Sequence, residues 1–350
     1  MTGKYMAYVG SYSYTGKAKG ITVYDVDVEK GKFIYRCEVE VDNSSYLKAS
    51  HNGKILYSIA DEGVVSFRIL PNGSLARQGS ANIKGMRGCQ LSTSPEDDYL
   101  FVSGYHDGKV TVLKLNKDGS VGRITDGVFH KGLGSVAERT YRPHVSCSRL
   151  TPDEKYLMVA DLGIDQIKVY RFDRTEGRIY QVDTIRSELE SAPRHFIFSS
   201  DGRFFYLMHE LKNTIDVYSY TSGERTPIVE KIQTIPTTGT EPSQLTAACA
   251  IRFGPDEKHL FCSNAGDNSV SMYDRDEETG MLTLRFCLPI SGDYPKDIAI
   301  FPDGNHLASI NHGGSISFFH IDYEKGLLVM SERSIAINEP NCCEIVKIGD

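Results

Sequence analysis

The chain repeats one short pattern of apolar and polar positions along its whole length. In about seven places an alternating apolar stretch ends in an aromatic residue or leucine, and a glycine follows five to seven residues later. The stretches end at Tyr24, Phe67, Leu113, Tyr170, Tyr218, Tyr273 and Phe319. Alternation with a period of two predicts a β-strand, and the glycine predicts the turn of a hairpin. The copies are 43 to 57 residues apart, which is typical of four-stranded propeller blades.

A second shared element precedes each hairpin. It is a turn with Pro, Asp or Gly followed by a strand, as in Thr151-Pro152-Asp153 before residues 156–160. With a short apolar strand before that turn, each unit predicts four strands: inner, second, third and outer. The first unit lacks its inner strand, because residues 5–10 already have the pattern of a second strand. The chain end supplies a spare strand at residues 342–348, and pairing it with the first unit would remove both open edges.

These patterns predict an all-β fold. We expect a seven-bladed β-propeller of four-stranded antiparallel blades, with the ring closed by pairing the C-terminal strand with the N-terminal blade. The repeat leaves no linker between blocks, so we expect one propeller domain over residues 1–350.

Composition and charge narrow the possible functions. A formal net charge of −7 and the absence of a basic tract argue against a nucleic-acid partner. The chain has neither a signal-like start nor a run of about 18 apolar residues, so we expect no membrane partner and a cytoplasmic location. Its eight cysteines contain no C-x-x-C pair and mostly occupy apolar strand positions, which favours reduced core residues over a metal site. We therefore expect no metal and no other cofactor, and the oligomeric state stays open.

Strand direction predicts which polar residues meet. In an antiparallel meander, the starts of the inner strands and the loops after the second strands lie on one face, where propellers usually bind ligands. His144, Arg194, Glu210 and Lys296 occupy such positions. A carboxylate near cations can act as a base, cations bind anionic groups or an oxyanion, and a histidine carries a proton near neutral pH. A surface ion-pair network at the blade junctions explains the same residues. Strand alternation also leaves open whether Arg194 or His195 faces the channel.

Several longer motifs are more specific than the repeat. They are Gly134-Ser135-Val136 with Arg139 and Pro143-His144, Ala160-Asp161-Leu162-Gly163, Ala192-Pro193-Arg194-His195, Glu210-Leu211 before Asn213-Thr214-Ile215-Asp216, and Tyr294-Pro295-Lys296. Through them the chain resembles, over essentially its whole length, the lactonase family of seven-bladed propellers. That family includes the propeller-type 6-phosphogluconolactonases and the fungal carboxy-muconate lactonising enzymes.

The resemblance implies metal-independent chemistry on a lactone ring in a central pocket, with Glu210, His144 and Arg194 as catalytic residues. Five further residues are expected to contact the substrate: Lys296, His195, Arg139, Ser146 and Asp161. Two positions depart from the family pattern. Ser146 replaces the second histidine of a Pro-His-x-His element, and Lys296 stands where relatives often have arginine. Lysine keeps the charge but loses the bidentate fork that grips a carboxylate or phosphate.

The leading hypothesis is a sugar-lactone hydrolase acting on a small anionic lactone or sugar phosphate such as 6-phosphoglucono-1,5-lactone. Glu210 would orient or deprotonate water, Arg194 and Lys296 would hold the anionic group or the oxyanion, and His144 would shuttle a proton. One alternative is a carboxy-muconate-type lactonising lyase, which moves a proton at carbon without water. Another is a non-catalytic propeller that binds a metabolite or a protein.

Overall fold

The computed structural model describes residues 3–135, 141–239 and 245–349. In these ranges the chain forms 28 β-strands and no helix. The strands make seven four-stranded sheets, here called blades 1 to 7 in chain order. This arrangement confirms the predicted all-β ring of seven antiparallel blades.

Each blade contributes one strand to each of four sets. The inner strands are β4 (Leu47–Ala49), β8 (Gln90–Thr93), β12 (Val145–Leu150), β16 (Pro193–Phe198), β20 (Ala247–Phe253), β24 (Pro295–Ile300) and β28 (Pro340–Ile348). The second strands are β1 (Lys4–Ser11), β5 (Ile55–Ala60), β9 (Tyr99–Gly104), β13 (Tyr156–Asp161), β17 (Phe204–His209), β21 (His259–Ala265) and β25 (His306–Asn311). The third strands are β2 (Gly20–Asp27), β6 (Gly63–Ile69), β10 (Lys109–Leu115), β14 (Gln166–Asp173), β18 (Thr214–Thr221), β22 (Ser269–Arg275) and β26 (Ser315–Asp322). The outer strands are β3 (Lys32–Glu40), β7 (Leu75–Asn82), β11 (Val121–Phe129), β15 (Arg178–Arg186), β19 (Ile228–Pro236), β23 (Leu282–Pro289) and β27 (Leu327–Ala336).

Blade 1 closes the ring. Its inner strand is β28, the last strand of the chain, which pairs antiparallel with β1 from Lys4 opposite Ile348 to Ser11 opposite Pro340. The predicted pairing of the two chain ends is therefore confirmed, although β28 begins two residues earlier than expected. Closure leaves neither end of the chain as an open inner edge.

The glycine of the repeat makes the turn in six of the seven hairpins. These six glycines have positive φ values between 59° and 85°, a backbone region that favours glycine: Gly31, Gly73, Gly119, Gly177, Gly280 and Gly326. The exception is Gly223, which is not among the residues with positive φ. Blade 5 turns through a six-residue connection between β18 and β19 without a left-handed glycine at that position.

The core lies between neighbouring blades, and hydrogen bonds from tyrosine hydroxyls connect one blade to the next. Tyr hydroxyls of second strands donate to carbonyls of the next blade's hairpin glycine, as from Tyr8 to Gly73 at 2.9 Å and from Tyr57 to Gly119 at 2.8 Å. Where the last blade meets the first, Phe33 stacks on Phe301 with ring centroids 5.4 Å apart. Packed contacts of this kind fix the inner strands relative to one another.

Candidate active site

A cavity of about 300 Å³ opens where the inner strands begin, and residues from all seven blades line it. This volume is at the lower end of the range for small-molecule sites. Each blade places an equivalent residue on the wall, either in its inner strand or one residue before it. The seven residues, here called the upper ring, are Tyr46, Cys89, Ser146, Arg194, Cys249, Lys296 and Asn341.

Bulges in the inner strands build the upper ring. In five blades the register with the second strand shifts by one residue at the ring position, as between Pro193 and His195 in β16. A bulge inserts one extra residue and re-aims the side chains around it. Consequently Arg194 and His195 both line the cavity, and so do Lys296 and Asp297. Strict alternation, which would place such neighbours on opposite faces, does not hold here.

Arg194 and Glu210 form an ion pair on the cavity wall. The Arg194 Nη1 atom contacts the Glu210 carboxylate, and its Nε atom donates to the Cys249 carbonyl at 3.1 Å. Glu210 follows strand β17, and its backbone N–H donates to the Ala192 carbonyl at 2.8 Å. Burial lowers the pKa of Arg194, but the adjacent Glu210 carboxylate outweighs this effect, so the pKa lies above its usual value. Both groups are therefore held in place and the guanidinium stays charged.

Lys296 adds a second predicted cation to the same wall. It occupies the bulge of β24, and its Nζ atom lies 5.2 Å from the centroid of the Tyr294 ring. A cation at this distance over an aromatic face is attracted to the ring. The face predicted from strand direction thus brings Arg194, Glu210 and Lys296 to one cavity.

His144 and Asp161 lie behind the wall instead of on it. The His144 ring stacks on the Tyr105 ring with centroids 4.3 Å apart, and its Nδ1 atom lies 2.7 Å from the Tyr105 carbonyl oxygen. Asp161 is fully buried and accepts hydrogen bonds from the backbone N–H groups of His144 and Gly163. Neither residue lines the cavity, whereas Tyr105 does. His144 therefore contacts a residue of the wall. It does not lie on the wall itself, where we expected it to reach a substrate.

The remaining predicted residues differ in placement. Ser146 lines the cavity, and its hydroxyl donates to the Pro193 carbonyl at 2.9 Å, which joins blades 4 and 5 next to Arg194. His195 also lines the cavity. Burial, followed by the charges of Arg194, Arg149 and Arg252, lowers its pKa well below the usual value, so the imidazole is neutral. Arg139 lies outside the described residues.

Three arginines of the wall were not identified from the sequence. Arg252 makes a bidentate pair with Asp297, with Nη2 to oxygen distances of 3.1 and 2.9 Å. Arg87 pairs with Asp61 at 3.1 Å and lies over the Tyr12 ring. Arg149 has a buried Nε atom without a hydrogen-bond partner. Arg149 and Arg252 each follow a bulge by three residues, a relation that becomes visible only once the bulges are known.

The cavity is strongly cationic although the chain as a whole is acidic. Five cationic side chains line it, Arg87, Arg149, Arg194, Arg252 and Lys296, against the carboxylates of Glu210 and Asp297. A cleft with one prevailing sign of charge concentrates ligands of the opposite sign. His106 also lines the wall, and burial followed by the charge of Arg87 lowers its pKa. The site can bind an anion, stabilise a developing oxyanion and offer Glu210 as a proton acceptor.

The structure is a closed seven-bladed propeller with a cavity that residues of all seven blades line. Residues 6–345 match the sequence model of the family described as "Lactonase, 7-bladed beta-propeller". The chain therefore belongs to the lactonase family of seven-bladed β-propellers, as the motifs of the sequence indicated.

Individual relatives agree with this assignment. The chain is 28% identical to the 6-phosphogluconolactonase of Bacillus subtilis strain 168, over 98% of this chain and 99% of that protein. The periplasmic gluconolactonase PpgL of Pseudomonas aeruginosa superimposes with a TM-score of 0.92 at 26% identity, covering 99% of this chain and all of that one. A structure from Bacteroides fragilis NCTC 9343 gives a TM-score of 0.89 at 30% identity, over 99% and 98% of the two chains. The chain is thus similar to 6-phosphogluconolactonases at modest identity.

The residues that the structure describes contain no helix that is both long and apolar enough to span a bilayer. Within the same ranges, no group of three or more His, Cys, Asp or Glu side chains is arranged to hold a metal ion. Because one relative is named as periplasmic, the cytoplasmic location expected from the sequence stays a prediction.

Proposed function

We propose that the protein is a lactonase that hydrolyses a small sugar lactone carrying an anionic group, with 6-phosphoglucono-1,5-lactone as the leading candidate. The observation that carries the proposal is the Glu210–Arg194 pair on the wall of a cavity with an excess of cations. Family membership and the similarity to the Bacillus subtilis 6-phosphogluconolactonase support the reaction class.

The proposed reaction needs a base and a site for developing negative charge. Glu210 accepts a proton from water as the water oxygen attacks the lactone carbonyl carbon. The carbonyl oxygen becomes an oxyanion, which the charges of Arg194 and Lys296 stabilise. The ring C–O bond then breaks, and the leaving oxygen takes back the proton from Glu210. The product is an open-chain hydroxy acid, so atoms and charges balance without another reagent.

The proposed reaction needs only a modest acceleration over the uncatalysed opening of the lactone. Lactones open slowly in water without a catalyst, and a well-placed acid or base contributes about 10² to 10⁴ in rate. The catalytic groups of the proposal are side chains of the cavity wall. We therefore expect the activity to survive treatment with EDTA, which tests the predicted metal independence.

His144 enters the proposal as a positioning residue. It holds Tyr105, which lines the cavity, through ring stacking and through the contact to the Tyr105 carbonyl. Since the proton taken by Glu210 can return to the leaving oxygen, the reaction does not need His144 as a carrier. Its removal should therefore disturb the shape of the site more than the proton transfer itself.

A substrate panel with product analysis tests the proposal. Purified protein is mixed with 6-phosphoglucono-1,5-lactone, glucono-1,5-lactone or a carboxylated muconolactone in ¹⁸O-labelled water, and products are identified by NMR and mass spectrometry. We expect the phosphorylated lactone to open faster than its spontaneous rate, with one ¹⁸O atom in the new carboxylate. An unlabelled muconate product would instead identify the lyase. Spontaneous rates for all three compounds would favour the non-catalytic propeller and contradict the proposal.

A further inference from the structure

A second set of equivalent residues lies deeper in the channel than the upper ring. Three residues beyond each upper-ring position, every inner strand carries a residue that pairs with the same point of its second strand. These residues, here called the lower ring, are Ala49, Ser92, Arg149, Ile197, Arg252, Ala299 and Glu344. At about 3.3 Å per residue, their backbones lie roughly 10 Å further along the strands.

Two of the three charged members of the lower ring have partners within the protein. Arg252 forms the bidentate pair with Asp297, and Asp297 also accepts a hydrogen bond from the Cys343 backbone at 3.0 Å. Glu344 pairs with Lys48 at 3.6 Å. Both charges are thereby compensated inside the fold.

Arg149 is different from these two residues. Its Nε atom is buried and has no hydrogen-bond partner, and in the described ranges the residue takes part in no ion pair. Arg149 nevertheless lines the cavity. A buried donor without a partner costs free energy, and an anion supplied by a ligand would remove that cost.

Arg149 and Arg252 act on the same part of the cavity. All four residues line the cavity: Arg149, Arg252, His195 and Tyr46. Burial is the main cause of the lowered pKa of His195 and of the raised pKa of Tyr46, and the charges of Arg149 and Arg252 add to the first shift and oppose the second. The guanidinium fork presents paired N–H donors whose geometry matches a phosphate or carboxylate. Arg194 and Glu210 lie at and beside the upper ring, nearer the mouth. The cavity therefore has cationic side chains at two levels along its inner strands.

We infer that Arg149 and Arg252 form an anion subsite at the inner end of the cavity, which binds the phosphate of a phosphorylated lactone while Arg194 and Glu210 act on its carbonyl group. The lactone part of this inference rests on the proposed function, whereas the phosphate part does not. The subsite makes Arg149 a residue that selects phosphorylated over plain sugar lactones.

Arg149→Gln is the variant of choice because Arg149 forms no ion pair in the described ranges, so its removal leaves no buried carboxylate unpaired and costs only its interaction with the Cys147 side chain. Removing Arg252 would strand the buried Asp297 carboxylate, so a loss of binding there could reflect misfolding. Arg178→Gln is the matched control, since Arg178 is an exposed arginine on β15 of the same blade. Because Arg149 has no counter-charge, we expect its removal to leave the melting temperature unchanged or slightly higher.

Titration calorimetry with 6-phosphogluconate and gluconate tests the subsite without turnover. Hydrogen bonds to charged groups predict that Arg149→Gln weakens 6-phosphogluconate binding by about tenfold to a hundredfold. Gluconate binding should weaken by a clearly smaller factor, because gluconate has no phosphate. Arg149→Lys should be intermediate, and Arg178→Gln should behave as wild type. Equal binding of 6-phosphogluconate by wild type and Arg149→Gln, or no binding by wild type, would overturn the inference.

Kinetics separate the subsite from the proposed function. We expect Arg149→Gln to raise KM for 6-phosphoglucono-1,5-lactone by a similar factor and to raise KM for glucono-1,5-lactone, which has no phosphate, by a clearly smaller factor. Equal losses on both lactones would overturn the subsite while the lactonase proposal stands. A wild type that opens neither lactone, but binds 6-phosphogluconate through Arg149, would overturn the lactonase proposal while the subsite stands.

Discussion

Replacing Glu210 by glutamine removes the proposed base while keeping the shape of its side chain. The Glu210 side chain is only 6% exposed, and its carboxylate contacts Arg194. Deleting one partner of a buried ion pair costs about 3 to 5 kcal/mol, but a glutamine oxygen can still accept from Arg194. Because Arg194 also keeps 22% exposure to solvent, we expect a stability loss of about 1 to 2 kcal/mol. The fold should survive this change.

The effect on catalysis should be much larger than the effect on stability. Loss of a general base lowers kcat by about 10² to 10⁴, which corresponds to roughly 3 to 5 kcal/mol in the barrier. KM should change little, because Arg194, Lys296 and the deeper arginines still bind the anionic substrate. Neutral glutamine cannot take the proton from water, so the residual rate should approach the spontaneous one.

A stopped-flow assay with a pH indicator tests this prediction, because lactone opening releases acid and the indicator follows its rate. The spontaneous rate is subtracted at each substrate concentration, and kcat and KM are fitted separately. Glu230→Gln is the matched control, because Glu230 is an exposed glutamate on β19 of the same blade. A kcat for Glu210→Gln within about threefold of wild type, with the fold intact, would refute the assignment of Glu210 as the base.

Three further predictions concern closure, pH and positioning. Deleting residues 340–348 removes β28 and exposes β1, so gel filtration should show aggregated protein, and a monodisperse folded truncation would contradict the closure. Burial lowers the pKa of His209 to about 4. Below about pH 6.5 the unfolded chain therefore binds a proton that the folded chain does not, and the free energy of unfolding decreases as the pH is lowered. Urea unfolding should show that His209→Phe removes about 2 kcal/mol of the loss between pH 7 and pH 5, while a variant of the exposed His320 does not. His144→Phe keeps the stacking on Tyr105 but loses the contact to its carbonyl, so kcat/KM should fall less than about tenfold. A loss beyond about a hundredfold would indicate that His144 takes part in the proton transfer.

The fold could be predicted because its signals are local. Alternating apolar residues specify each strand, and turn residues specify where the strand ends, so seven copies of both also specify the ring. The closing strand followed from counting, since the first unit lacked an inner strand and residues 342–348 supplied one, within β28 of the structure. Gly223 is the local exception, because its blade turns without a left-handed glycine.

The site could be predicted only in part. Strand direction predicted a common face, and Arg194, Glu210 and Lys296 line one cavity. Bulges could not be predicted, because one extra residue in a strand leaves no clear mark on the apolar pattern. The bulges explain why Arg194 and His195 both line the cavity, and why the two deeper arginines were missed. The place of His144 depends on how its ring stacks on Tyr105, a tertiary contact without a signal in the sequence.

The rate at which the purified protein opens 6-phosphoglucono-1,5-lactone tests the proposed activity most directly. We expect a rate that exceeds the spontaneous rate, increases in proportion to protein concentration and is lost in Glu210→Gln. A rate indistinguishable from the spontaneous one at micromolar protein, or an equal rate for wild type and Glu210→Gln, would contradict it.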